Sequence, residues 1–217
     1  MIKGHVITIM DNPQSVESAK RCIASAKRRG IEVQMFKAVT PRNTRVVEKM
    51  NELGIPLVHF TEKYSRHQPV LAAFLSHYYL WQYAVEKKES IIILEHDAFF
   101  VDSIDDRQIL GNIVNLGKPS YGKYNTPPWI GEYPLFSKEY LPGAHAYKVT
   151  PHGAECLLYR AQHDPGPTDV YIHKDRFPNL ITEYYPWPIE CRDSFTTIQN
   201  ELGCQSKHNY DENYKII

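Results

Sequence analysis

The sequence predicts an α/β protein with a mostly parallel central sheet and helices on both faces, and three stretches support that prediction. The first reads as strand, helix and strand within about thirty residues, a βαβ unit whose crossover is almost always right-handed. The second, Pro69 to Lys88, is a helix running directly into another strand. The third is that strand itself: Ile91 to Leu94 is a short aliphatic run rich in β-branched residues, as expected where a strand is covered on both faces.

Taken in order, Val6 to Met10 is the first strand, expected near the sheet centre, and Asp11-Asn12-Pro13 a turn. Ser15 to Arg29 is a helix ended by Gly30, and Ile31 to Phe36 the second strand. Thr44 to Leu53 reads as a short helix closed by Gly54 and Pro56. In the helix from Pro69, the residues Val70, Leu71, Ala73, Phe74, Leu80, Trp81 and Ala84 recur with helical spacing. Ala144 to Val149 is a further strand, followed by a helix from Pro151 to Arg160 with Thr150 as its cap. Between them, residues 111–140 mix glycines and prolines with Tyr121, Tyr124, Trp129, Tyr133 and Tyr140, so no single regular element spans them. A loop of that length is either functional or a covering flap, and its aromatic faces suit sugar rings as well as a core.

Composition narrows the function. The 217 residues suit one domain over 1–217, and 42% hydrophobic with 23% charged residues is ordinary globular composition. Lysine plus arginine equals aspartate plus glutamate at 25 each, so net charge calls for neither nucleic acid nor an anionic membrane. Cys22, Cys156, Cys191 and Cys204 are scattered without the pairing of a zinc or redox motif, and reduced thiols are expected. No window approaches the roughly 18 apolar residues of a membrane span, and no secretory signal opens the chain. A cytoplasmic protein is expected, with peripheral membrane association left open.

The chemistry gathers at Glu95-His96-Asp97. Ligands of open α/β sheets collect at the carboxyl ends of strands, and acids at alternate extended positions point to one side, where two hard oxygens can converge on a cation. Taken alone, such a triplet is more often a strand running into a solvated turn. The helix upstream reverses that preference.

Phe74-Leu75-Ser76-His77-Tyr78-Tyr79-Leu80-Trp81, followed by Leu94-Glu95-His96-Asp97, resembles the Ser-His-x-x-x-Trp helix and Leu-Glu-Asp-Asp strand of the family 25 glycosyltransferases, the lipooligosaccharide-type and collagen-type galactosyltransferases. Phe36-Lys37-Ala38-Val39, Gly143-Ala144-His145-Ala146-Tyr147 leading into Gly153-Ala154-Glu155-Cys156, and Pro167-Thr168-Asp169-Val170 follow in the same order. The resemblance implies a GT-A type, Rossmann-like fold, a UDP-hexose donor, galactose foremost, and a glycan or glycoconjugate acceptor. It further implies Mn2+ or Mg2+ held by Asp97 with Glu95, and donor contacts from Glu95, Ser76, His77 and Thr8. Asp169 becomes the base of an inverting transfer, although its turn-like setting equally fits a helix cap.

Two departures stand out. No arginine follows the first strand before Arg21, where Lys20 or Arg21 is the nearest cation, and His96 replaces an acid in the middle of the motif. They motivate an alternative, a non-catalytic sugar-nucleotide or glycan-binding module. A nucleotidyltransferase is a third reading, with no glycine pattern for its phosphate loop.

Overall fold

The computed structural model describes residues 2–60, 63–192, 194–208 and 212–217. The first unit is β1 (Lys3–Thr8), α1 (Pro13–Arg28) and β2 (Val33–Lys37). Asn12 caps α1, its side chain accepting from the amides of Gln14 and Ser15, so the helix begins at Pro13, two residues ahead of the expected start. Gly30 leaves the helix with φ +75°. The buried face of α1 is made of small residues, Ser15, Ser18, Ala19, Cys22, Ser25 and Ala26, which lets the helix lie close on the sheet.

Next come α2 (Val46–Glu52), α3 (His67–Lys87), β3 (Ile91–Glu95) and β4 (Ala98–Phe100). The long helix α3 buries Val70, Leu71, Phe74, Leu75, Tyr78, Leu80, Trp81 and Ala84, more than one stripe, because the sheet, α2 and α4 surround it. Residues 111–140 contain two short strands, β5 (Ile113–Asn115) and β6 (Gly131–Pro134). Then follow β7 (Ala146–Val149), α4 (Pro151–Ala161), α5 (Thr168–Tyr171), β8 (Ile181–Tyr185), β9 (Ile189–Cys191), β10 (Phe195–Thr196), α6 (Glu201–Cys204) and β11 (Lys215–Ile216). Thr150 caps α4 as expected, accepting from the Gly153 amide.

The main sheet has the order β2-β1-β3-β7-β5-β8-β6. β1, β2, β3, β5 and β8 run in one direction and β7 and β6 against it, giving the predicted mostly parallel α/β sheet. β1 is an interior strand but not the central one, because the C-terminal half of the chain extends the sheet beyond β3. Its second strand starts at Val33, not Ile31.

Alternation along β3 divides the core. Ile91 and Ile93 join the cluster containing α2, α3 and α4, whereas Ile92 and Leu94 join the one containing α1. Helices therefore cover both faces, which is why this strand reads as an unbroken aliphatic run. Among the described residues no cysteine is in a disulfide, and Cys22 and Cys204 are buried.

Candidate active site

The parity that sends Ile91 and Ile93 toward α3 sends Glu95 there too, since side chains two apart share a face. It meets His77 of α3, whose Nε2 lies 3.4 Å from Glu95 Oε1. The other ring nitrogen of His77 is 2.9 Å from the Tyr147 hydroxyl, to which Trp81 Nε1 donates at 2.8 Å. An indole N–H can only donate, so the single Tyr147 proton is left for His77 Nδ1. Burial pushes the His77 imidazole down to about 3, so it is neutral and carries its one proton on Nε2, aimed at Glu95. Trp81, Tyr147 and His77 thus form a one-way chain of donors ending on the carboxylate. His77, expected from the resemblance to contact the donor, is turned toward Glu95, and Tyr147, in a strand far along the chain, had no sequence signal.

The backbone does not stay extended past Glu95. A turn at His96 and Asp97 leads into β4, so the two acids converge through that turn and not by strand alternation. β4 pairs antiparallel with β9, placing Ala98 opposite Cys191, and the Cys191 thiol donates to Asp97 Oδ2 at 3.0 Å. Asp97 is 5% exposed, and its Oδ1 is buried with no hydrogen-bond partner among the described residues. Burial opposes its ionisation, but the positive potential of His96, Lys207 and His145, with the Cys191 hydrogen bond, outweighs it and holds the carboxyl below the usual range. Glu95 goes the other way: burial, then the charge of Asp97, pushes it up to about 8.

Asp169 comes from the second residue of α5. Its Oδ1 accepts from the Val170 amide at 2.9 Å, and its Oδ2 accepts from the Tyr121 hydroxyl. Pro167, not Asp169, is the N-cap of α5 and no side chain caps it, so the cap reading of Asp169 does not hold. Tyr121 comes from the aromatic loop, and Lys138 holds its ammonium 5.4 Å from that ring and 4.8 Å from that of Tyr140. Elsewhere in the loop Tyr124 packs edge-on against Trp187, and Trp129, which is exposed, packs against Tyr133 and Phe136.

Glu95, Asp97, Asp169, Tyr121, His145, Cys191 and Lys207 all line one cavity of about 110 Å³. A second, of about 270 Å³, is lined by Ile7, Ile9, Ala38, Val39, Arg42, Arg66, Ser76, His77 and again Glu95 and His96. Ser76 is fully buried there, its hydroxyl donating to the Ala72 carbonyl and accepting from the Val39 amide, so it joins α3 to the end of β2. Thr8 is not brought to either cavity: its side chain is sealed in the core and its hydroxyl donates to the Val6 carbonyl, a correction to its expected donor role. Neither Lys20 nor Arg21 lines a cavity. The cations of the larger one are Arg42, paired with Asp11 at 3.7 Å, and Arg66 at the start of α3, which no motif marked.

The class that fold and site define is an α/β protein with an acidic pocket at the carboxyl end of a central strand, beside a larger cavity. Residues 5–108 match the model of glycosyltransferase family 25, described as an LPS biosynthesis protein, and that span includes α3 and the Glu95-His96-Asp97 turn. The match supports a glycosyltransferase-type enzyme. No curated protein matches the sequence. Among solved structures, A197 from STIV superposes with a TM-score of 0.43 at 11% identity, covering 84% of this chain and 81% of that one. The CTP:phosphocholine cytidylyltransferase LicC from Streptococcus pneumoniae gives 0.36 at 12% identity, covering 87% and 92%. No helix among the described residues is long and apolar enough to cross a membrane.

Proposed function

We propose that this chain is a metal-dependent hexosyltransferase that moves a sugar, galactose foremost, from a UDP-hexose to a hydroxyl of a glycan or glycoconjugate, with inversion. The observation that carries this reading is the meeting of Glu95, Asp97 and Asp169 in one small cavity that adjoins a larger, more apolar one. A nucleoside fits the apolar cavity, and the reacting sugar fits the acidic one.

The donor set suits a hard divalent cation, Mn2+ or Mg2+. Asp97 is held ionised and offers a buried oxygen without a partner among the described residues, the kind of atom an ion takes up. Such a cation supplies Lewis-acid stabilisation of the diphosphate leaving group. Glu95, oriented by His77, completes the carboxylate pair or receives a ribose hydroxyl. Asp169 takes the proton of the acceptor hydroxyl as that oxygen attacks the anomeric carbon, and the hydrogen bonds from Tyr121 and the Val170 amide orient the carboxylate for that task. Tyr121 and its neighbours Tyr140 and Lys138 stand beside Asp169, where an acceptor sugar would stack.

The alternative of a non-catalytic binding module is motivated by His96 in place of an acid in the motif and by the first cation after β1 coming as late as Lys20. Hydrolysis of UDP-galactose and other UDP-hexoses, with and without manganese, separates the two. The transferase reading expects manganese-stimulated release of UDP that is lost in Asp97→Ala and in Asp169→Asn, the latter still binding donor. UDP binding without turnover of any UDP-hexose favours the module.

A further inference from the structure

Two cavities that hold one donor must be joined where its diphosphate lies, and here they share a wall. The residues lining both are Ala73, Glu95, His96, Thr197 and Ile198. Ala73 and Ile198 are apolar and Glu95 repels phosphate once ionised, so among the described residues His96 and Thr197 are the non-acidic side-chain hydrogen-bond donors at that junction.

His96 is held in one orientation. Its ring stacks on Phe195, with centroids 5.3 Å apart and planes within 9°. Its Nδ1 lies 3.2 Å from Ser15 Oγ. That oxygen already accepts from the Ile9 amide at 2.9 Å, and Ser15 is fully buried, so its proton would be stranded unless it went to His96 Nδ1. With Nδ1 accepting, the imidazole hydrogen sits on Nε2. Nε2 makes no hydrogen bond among the described residues.

We propose that His96 is a diphosphate-binding residue: its Nε2–H, fixed by Ser15 and Phe195, donates to a phosphate oxygen of the nucleotide at the junction of the two cavities. The inference rests on the nucleotide-sugar reading above and extends it to a residue that sequence presented only as a lost acid. An acid at this position would face the phosphates with like charge; the histidine turns repulsion into a donated hydrogen bond. It also answers the absence of an arginine after β1, because the donor's charge is met from the strand-end turn instead.

The test compares binding of UDP, GDP, CDP and ADP with that of the corresponding nucleosides, in the full chain and in His96→Ala and His96→Gln, with manganese throughout. Glutamine keeps an N–H near the position of Nε2, and the melting temperature of each variant checks its fold. The expected result is a roughly tenfold or greater loss of nucleoside diphosphate affinity in His96→Ala. Nucleoside affinity stays unchanged, and His96→Gln stays within about threefold of the parent. Equal loss for nucleoside and diphosphate in both variants overturns the inference, since His96 would then only shape the wall. So does diphosphate affinity unchanged in His96→Ala. If the parent chain binds none of the four diphosphates, the nucleotide-sugar reading itself fails and the inference falls with it.

Discussion

Tyr121 and Asp169, far apart in the chain, are joined by a hydrogen bond from the phenol to the carboxylate, so the aromatic loop and the short helix α5 form one edge of the acidic cavity. Removing that donor with Tyr121→Phe takes away a hydrogen bond that orients the Asp169 carboxylate. If Asp169 is the base, the maximal rate should fall roughly tenfold with donor KM unchanged. A changed donor KM with an unchanged rate would assign Tyr121 to the donor.

His77 makes stability fall in acid. Its ordinary value is 6.5 and burial lowers it to about 3, so below pH 6.5 the unfolded chain takes up a proton that the folded chain refuses. Its contribution is complete above pH 6.5 and is lost as pH falls toward 3, by up to about 1.4 kcal/mol per pH unit. Urea denaturation between pH 7 and 4 should show this slope, and His77→Gln should flatten it. An unaltered slope in the variant would place the acid sensitivity elsewhere.

Glu95 has the opposite sign. Its carboxyl is raised to about 8, so in the metal-free protein its contribution to stability is full below its ordinary 4.5 and is lost as pH rises through 8. A cation bound there favours the ionised form, so manganese affinity should climb with pH up to about 8, with release of a proton at neutral pH. Calorimetry in buffers of different ionisation enthalpy counts that proton. Glu95→Gln should abolish the release.

Gly153 brings α4 against β5. A Cβ there would lie 2.5 Å from the Asn112 carbonyl oxygen and 3.1 Å from Ile113 Cγ1. Alanine gains up to about 1 kcal/mol of helix propensity, but overpacking costs about 1–3 kcal/mol, so Gly153→Ala should lower the melting temperature. A stabilised variant would show that α4 can move away freely.

Trp81 is fully buried among Phe74, Tyr78 and Tyr171 and is also the first donor of the chain that ends on Glu95. Trp81→Ala should cost about 3–5 kcal/mol. Trp81→Phe keeps much of the ring packing but frees the Tyr147 oxygen, so its loss should be smaller and accompanied by weaker metal binding. Metal affinity unchanged in Trp81→Phe would separate the indole from the site.

The sequence reading succeeded where periodicity or a strand end is local. The βαβ unit, α3 and the cap at Thr150 were legible, whereas Glu95 and Asp97 meet through a turn that the expected strand alternation did not foresee. It failed where contacts are made across the chain. Tyr147 and Cys191 reach the acids because β7 and β9 pair with β3 and β4, and strand partners at such separation leave no spacing to read. Thr8 was expected at the donor from the resemblance alone, and its side chain turns into the core. Arg66 was missed because it precedes its helix without any capping pattern.

The ladder between β3 and β7 has one more consequence. It sets Leu94 opposite Ala146 and is extended by the Glu95 amide bonding to the His145 carbonyl, so the acid-bearing strand is an interior strand only while residues 145–149 are present. The family match ends at residue 108, before any of them. A fragment cut there would keep Glu95, His96 and Asp97 yet expose Ile91 to Leu94 as an open aliphatic edge, which recruits other chains. The matching segment carries Glu95, His96 and Asp97 but is not a smaller version of the protein, and its expected fate alone is aggregation.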